Sequence, residues 1–579
     1  MERLTRELVK VGSIAAEHSG LAELVKEVAS RLDVLLARDT PSAVVAKTVT
    51  TLWALRFLLN VADVMLEQGL VQSVLDLVKP LPGIAGLVRK EKEKLFKKLE
   101  KEVFSKRYGH SKVPKFTEIP KHHLTHEKIF DTIDDLDARD DRYEKGKSKL
   151  SGALYFNNSD HADFQTEVYS RFVGTNPIHA DNYPSVARMD AELVSMTASM
   201  VRADVEEVCG SVTSGGSESI LCAMKASRDW WLNANGYGLF RNLLKALPWM
   251  KNSSKPEIIM ADSAHAAYVK AAEYYNLRMV IVHVDESTDF RLTASAVRRR
   301  ITANTAIVIA SAPSYPHGVC DDIDGIQKLA AKYGIACHVD ACLGGFVLPF
   351  AKEAGYDRPG FHFGMKGITS MSIDTHKYGL AHKGTSVVLY RDKDIRKYQF
   401  TKITDWSGGL YISPTMAGSR SGAVIAAAWS SLLAIGRDGF VKQTKQLLSL
   451  AELLASRIEG ECHHLKLLGQ PDSTVVAWGA KNRKELDIFK VNDAMSKKGW
   501  HLSALQHPPG LHMCITPAHS QSMMDKLAED LKVACEEVLD GDNDGEEGSA
   551  PIYGMAESLP DRNIVGDVLV AFQEANLDV

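Results

Sequence analysis

His338-Val339-Asp340-Ala341-Cys342-Leu343-Gly344-Gly345 and, further along, Asp374-Thr375-His376-Lys377-Tyr378-Gly379 decide how this chain of 579 residues is to be read. The first runs out of a short apolar stretch into a carboxylate and then glycines. A buried strand of a doubly wound sheet ends this way where it meets a ligand. The second holds a lysine between a turn and a glycine, beside hydroxyl and imidazole groups. Such a lysine is placed to form an imine with an aldehyde cofactor, while neighbouring donors meet a phosphate. Each segment is ambiguous alone: Asp340 also suits a helix cap or turn, and a lone lysine is usually a solvated surface residue.

Working outward, Glu257 to Met260, Met279 to Val284, Ala306 to Ala310 and Ala336 to Val339 are brief runs rich in Val and Ile, separated by helix-length segments. The alternation predicts a buried, mainly parallel central sheet with crossover helices, an α/β class. Ser386 to Tyr390 reads as a further strand leaving the motif region. From about Ala423 a long helix begins, followed by helices and a few strands, which predicts a smaller C-terminal α+β domain.

Thr213-Ser214-Gly215-Gly216-Ser217-Glu218-Ser219 precedes a helical stretch. Small residues at a helix start free backbone N–H groups and let a phosphate approach the positive end of the helix. Asp340 suits a pyridinium nitrogen, which a carboxylate keeps protonated. His265, in Ser263-Ala264-His265-Ala266-Ala267, suits stacking on a cofactor ring, although a core histidine satisfied by backbone is the plainer reading. The order of phosphate loop, strand-end aspartate and lysine resembles aspartate-aminotransferase-like enzymes, which use pyridoxal 5'-phosphate (PLP).

More specifically, TSGGSESI, SAHAAY, HVDACLGGF, DTHKYG, TDWSGGLYISPTMAGSRSG and IYGMA resemble, in that order, the sphingosine-1-phosphate lyase family from about Tyr155 to about Asn563. The phosphate loop, aspartate and lysine are shared in outline with glutamate-decarboxylase-like relatives, so the last two segments discriminate best. The resemblance implies Lys377 as the cofactor lysine, with Ser214, Gly215, His265, Asp340, His376 and Gly408 binding the cofactor. It places Gly408, in Trp406 to Tyr411, in a neighbouring subunit's site, and so implies a homodimer with shared active sites. Asn176-Pro177-Ile178-His179 is similar to the family's NPxH motif, so His179 either contacts the substrate phosphate or assists proton transfer. Tyr155 and Lys383 match positions close to that phosphate. Arg420 is either a structural turn residue or a ligand anchor.

The implied reaction is cleavage of the C2–C3 bond of a phosphorylated sphingoid base to a long-chain aldehyde and phosphoethanolamine. The base for the C3 hydroxyl is left among Lys377, His179 and the bound phosphate. Two rivals remain: a PLP-dependent amino-acid decarboxylase, and a membrane-tethered pseudoenzyme scaffold.

Composition narrows the classes. A formal net charge of −4 gives no reason to expect nucleic acid. The eight cysteines form no CxxC pair and no zinc-like spacing with histidine, so neither a metal nor a disulfide framework is expected. The length predicts two packed globular parts behind an N-terminal segment, and the patterning divides them into a helical extension over 1–110, a linker or arm over 111–150, a large domain over 151–420, which the resemblance implies binds PLP, and a small domain over 421–579. The acidic, glycine-rich stretch at 540–548 reads as a surface loop.

No signal peptide is expected from the mixed, charged start at Met1. Residues 44–66 are about long enough to cross a bilayer but carry Lys47, Arg56, Asn60 and Asp63. They read either as a span or as an amphipathic helix packed on protein. The basic run from Arg89 to Lys101 suits a cytosolic flank. The resemblance implies one N-terminal span in the endoplasmic reticulum membrane, with the catalytic part facing the cytosol.

Overall fold

The computed structural model describes residues 97, 101, 113–138, 148–155, 159–234, 255–541 and 562–577. The candidate span at 44–66, most of the basic run, the stretch from 542 to 548 and the IYGMA segment lie outside the described residues. Two compact units are present, 1–123 with 559–579, and 124–558. In the first, the helix Arg562–Leu577 is described. The boundary expected at 420/421 falls inside the second unit, which holds every candidate site residue.

Among its described residues that second unit holds α1 (His126–Asp137), α2 (Ser159–Phe172), α3 (Pro184–Ser199), β1 (Cys209–Thr213), α4 (Gly216–Ala234), β2 (Glu257–Ala261), α5 (Ala267–Tyr274), β3 (Arg278–Val282), α6 (Ala294–Arg298), β4 (Thr305–Ser311), α7 (Ile323–Tyr333), β5 (Ala336–Asp340), β6 (Ser370–Ile373) and β7 (Ser386–Tyr390). Then come α8 (Lys393–Arg396), β8 (Thr401–Ile403), β9 (Tyr411–Ser413), α9 (Gly422–Glu461), β10 (Leu465–Leu467), β11 (Val475–Ala480), α10 (Ile488–Lys497), β12 (Ser503–Gln506), β13 (Pro509–Cys514) and α11 (Gln521–Leu539).

Seven strands form the main sheet in the order β1-β7-β6-β5-β4-β2-β3. Only β7 runs against its neighbours, antiparallel to both β1 and β6. The other six strands therefore point the same way, and their carboxyl ends share one edge. Side chains alternate across the sheet, as the pleat requires: Ile259, Val308, Val339 and Met371 join one apolar layer, while Ile258, Met260, Ile307 and Ile309 join the other. Being covered on both faces, β2 and β4 read as continuous apolar runs.

The strands β10, β11, β13 and β12 make a separate antiparallel sheet. Helix α9 leads to it and breaks at Gly436, whose φ of 63° is a left-handed conformation that glycine adopts without strain. Among the described helices α9 alone is long and apolar enough to cross a membrane. Its Ile425, Ala428, Leu447 and Leu454 are buried in the protein core, as a core helix requires.

Candidate active site

Topology brings the separate motifs together. Ser214 follows β1, His265 follows β2, Asp340 ends β5 and the lysine turn follows β6, all on the carboxyl edge of the sheet. In open α/β sheets ligands bind at this edge.

The lysine turn is anchored from below. Tyr378, fully buried, donates its hydroxyl to Ile515 O at 2.6 Å and is hydrogen-bonded with the Thr474 hydroxyl at 2.5 Å, tying the turn to the small sheet. Gln443 Nε2 donates to Tyr378 O at 2.8 Å and Ser431 Oγ to Gly379 O at 2.8 Å, both from α9. Gln165 of α2 donates to Leu380 O at 2.6 Å. Three elements distant in sequence thus fix the backbone on either side of Lys377.

Lys377 Nζ lies 2.9 Å from Asp374 Oδ2. Burial opposes charge on the lysine, yet Asp374 outweighs it and holds the ammonium above its ordinary range. Burial likewise pushes the Asp374 carboxyl up, but the neighbouring Lys377 ammonium holds it below the usual carboxylate range. His376 accepts the Thr385 N–H at Nδ1, 3.2 Å away. Burial lowers its pKa, so the ring is neutral with its proton on Nε2, towards Asp374.

Asp340, almost fully buried, accepts the Cys342 N–H at 3.2 Å and the Ser372 hydroxyl at 3.4 Å. Beneath it His338 bonds Ser370 and Ser372 at 2.8 and 3.2 Å, and burial drives its pKa down to about 4. His265 is exposed, and its Nδ1 accepts the Ala267 N–H at 3.1 Å. The exposed ring is therefore accessible to a ligand, while the backbone contact fixes its orientation.

At the phosphate loop, Glu218 is the organising residue. Its Oε2 accepts the Ser214 N–H at 2.6 Å, and its Oε1 accepts the Met416 and Ala417 N–H groups at 2.9 and 3.3 Å. Gly216 lies so close to the lysine turn that a Cβ would sit 2.9 Å from both oxygens of Asp374 and 3.0 Å from Cys342 Sγ.

Lys383 Nζ lies 4.6 Å from the Tyr155 ring centroid, and Tyr155 packs edge-on against Tyr378 at 5.1 Å. Partial burial and then the neighbouring Lys377 pull the Lys383 ammonium below its ordinary value, although the side chain reaches solvent. Burial raises the Tyr155 phenol, with Cys514 adding to it. Lys377, Lys383 and Tyr155 therefore share one region.

His179 is exposed on the Asn176 turn. Asn176 Oδ1 accepts the Ile178 and Arg420 N–H groups, both at 3.2 Å, and so joins the NPIH turn to the start of α9. Gly408 is exposed near the tip of the β8–β9 hairpin, where a Cβ would press 2.5 Å from the Trp406 ring. Arg420 holds Asp190 through two nitrogens at 3.0 and 2.7 Å and reaches Val212 O at 3.3 Å, the geometry of a structural clamp. Sequence reading assigned no role to Glu218, Asp374 or Asp190, although the first two stand inside quoted motifs. An acidic residue in the first turn of α4, directly after the Ser/Gly loop, was the available signal for Glu218.

The pyridoxal-dependent decarboxylase conserved domain matches residues 130–481. The chain is 38% identical over 569 residues to the sphingosine-1-phosphate lyase of Arabidopsis thaliana, covering 96% of this chain and 99% of that protein. The chain belongs to the sphingosine-1-phosphate lyase family. Sphingosine-1-phosphate lyase 1 of Rattus norvegicus is 36% identical, over 88% of this chain and 81% of that protein. The solved sphingosine-1-phosphate lyase of Burkholderia pseudomallei superposes with a TM-score of 0.67 at 32% identity, over 76% of this chain and 96% of that one. A Lactobacillus brevis glutamate decarboxylase, at 19% identity, TM-score 0.62 and coverage of 75% and 97%, shares the fold.

PLP is the cofactor of this family domain, and the residues present fit it. A Cβ at Gly215 would meet only His376 Cε1, at 3.5 Å, so the backbone just before α4 can be approached closely. Asp374 Oδ1 and Thr375 Oγ1 are buried with no hydrogen-bond partner beside Lys377, as expected at a site shaped for another polar group.

Proposed function

We propose that this chain cleaves the C2–C3 bond of phosphorylated sphingoid bases, releasing a long-chain aldehyde and phosphoethanolamine, as a PLP-dependent carbon–carbon lyase. The observation that carries the substrate assignment is the grouping of Lys383 and Tyr155 beside Lys377 in a chain of this family. A cation and a phenol near the reactive lysine suit a phosphomonoester with nearly two negative charges.

Bound PLP supplies an electron sink for the pair released from the C2–C3 bond. Lys377 would hold the cofactor, Asp340 would face its ring nitrogen, and His265 would cover the ring. Ser214, Gly215 and His376 would hold its phosphate. Lys383 and Tyr155 would orient the substrate phosphate, with His179 as a further contact or proton carrier. Incubation with a phosphorylated sphingoid base is expected to yield long-chain aldehyde and phosphoethanolamine in equal amounts. Carbon dioxide from an amino acid, with no aldehyde, would overturn the reading in favour of a decarboxylase.

Two finer readings belong with it. The β8–β9 hairpin exposes Trp406, Ile412 and Leu410, the last 84% exposed, and such a surface supports a homodimer in which Gly408 completes the neighbouring site. Mixing Lys377→Ala protein with Gly408→Asp protein is expected to restore activity, whereas shared inactivity would count against sharing. Residues 44–66 and the basic run after them support attachment to the endoplasmic reticulum membrane, with the catalytic part in the cytosol. Release from membranes by alkaline carbonate would count against a span.

A further inference from the structure

Two carboxylates stand at the ends of neighbouring parallel strands, Asp340 at the end of β5 and Asp374 just after β6. Asp340 has its own partners in Cys342 N–H and the Ser372 hydroxyl. Asp374 is only 2% exposed and places Oδ2 2.9 Å from Lys377 Nζ and 3.6 Å from His376 Nε2. Its Oδ1 has no hydrogen-bond partner. Glycine at 216 leaves the space the carboxylate occupies. A buried carboxylate at contact distance from an amine interacts with it far more strongly than a solvated one.

The geometry points to Asp374 as a positioning residue that keeps free Lys377 an ammonium, making it the acid towards C2 and excluding it as the base for the C3 hydroxyl. This rests on the lyase reading above. The C3 hydroxyl proton passes to another group, the C3 oxygen becomes the aldehyde carbonyl, and the C2–C3 electron pair passes to the cofactor. C2 then takes a proton from Lys377 Nζ. The lysine is left a neutral amine, the form that recaptures the cofactor.

The groups that face Lys377 come from several elements. Asp340 and Cys342 stand at the end of β5, Asp374 follows β6, His376 and Lys383 lie on the lysine turn, and Cys514 ends β13. Burial keeps both thiols protonated and His376 neutral. Lys383 works against a second positive charge. Asp374 is the carboxylate in contact with the amine.

The test is the pH dependence of Lys377 labelling by an amine-directed reagent in the full chain stripped of cofactor, where the lysine is a free amine, comparing wild type with Asp374→Asn, and with Asp374→Ser should Asn not fold. Loss of the carboxylate is expected to lower the midpoint by about one to three pH units. It is also expected to lower kcat while KM stays within about threefold. Equal midpoints in a folded variant overturn the role of Asp374, because a merely structural residue would change stability and leave the midpoint in place. Borohydride reduction that attaches the cofactor to a lysine other than Lys377 overturns the site reading itself, and this proposal with it.

Discussion

Arg420 grips Asp190 through two nitrogens, at 3.0 and 2.7 Å, and joins the start of α9 to α3. Both side chains are mostly buried, 14% and 19% exposed, so the pair is shielded from water more than a surface bridge. Arg420→Ala is expected to cost about 2 kcal/mol of stability, the partial exposure tempering the value for a buried pair. Asp190→Asn should cost a similar amount, and the double variant less than the sum. Thermal or denaturant unfolding checks this, and a large change in KM with unchanged stability would instead make Arg420 a ligand anchor.

Glu218 accepts N–H groups from both Ser214 and Met416, so it couples the phosphate loop to the segment entering α9. In Glu218→Gln an amide nitrogen faces a backbone donor at one end. Losing one charge-assisted bond of this kind is worth about 1.5–3 kcal/mol, so cofactor affinity is expected to fall roughly ten- to hundredfold. Equilibrium dialysis of the cofactor measures it.

Lys383→Ala is expected to raise KM for a phosphorylated substrate by roughly ten- to hundredfold, with the cofactor's absorbance unchanged. Steady-state kinetics beside an absorbance spectrum separate this outcome from a general loss of the site. Lys383→Arg keeps the charge and should recover part of the effect.

Burial drives His317 and His512 down to about 4, and His317 stacks on Phe290 at 4.4 Å with neither ring nitrogen hydrogen-bonded. An unfolded histidine titrates near 6.5, so between about 6.5 and about 4 the unfolded chain binds more protons than the folded one. Stability is therefore expected to fall as pH drops through that window, by roughly 2 kcal/mol per such histidine at pH ~5. His317→Phe removes one of these protonations. Its melting temperature is expected to fall less than that of wild type between pH ~7 and pH ~5.

Legibility followed burial chemistry. Strands β2, β4, β5 and β7 were readable because short apolar runs pass through them, packed on both faces. Strands β1 and β6, read as CGSVT and SMSI, were not, because they carry small and polar residues. The hydroxyls of Ser370 and Ser372 are satisfied by His338 across the sheet, a partner that no local pattern announces. Gly210 admits the Val388 carbonyl, which a Cβ would meet at 2.3 Å. Asp374 stood in a quoted motif with no role, since its pairing with Lys377 depends on the turn after β6 rather than on spacing.

The sequence by itself determined the fold class, the cofactor chemistry and the order of the motifs, because apolar strand runs and short catalytic segments are local signals. Only the tertiary structure decided that Asp374 rather than Asp340 contacts Lys377, that Glu218 ties the phosphate loop to α9, and that Arg420 is committed to Asp190. Those relationships join residues from different strands and helices, and the sheet order and packing on its two faces bring them within hydrogen-bond reach.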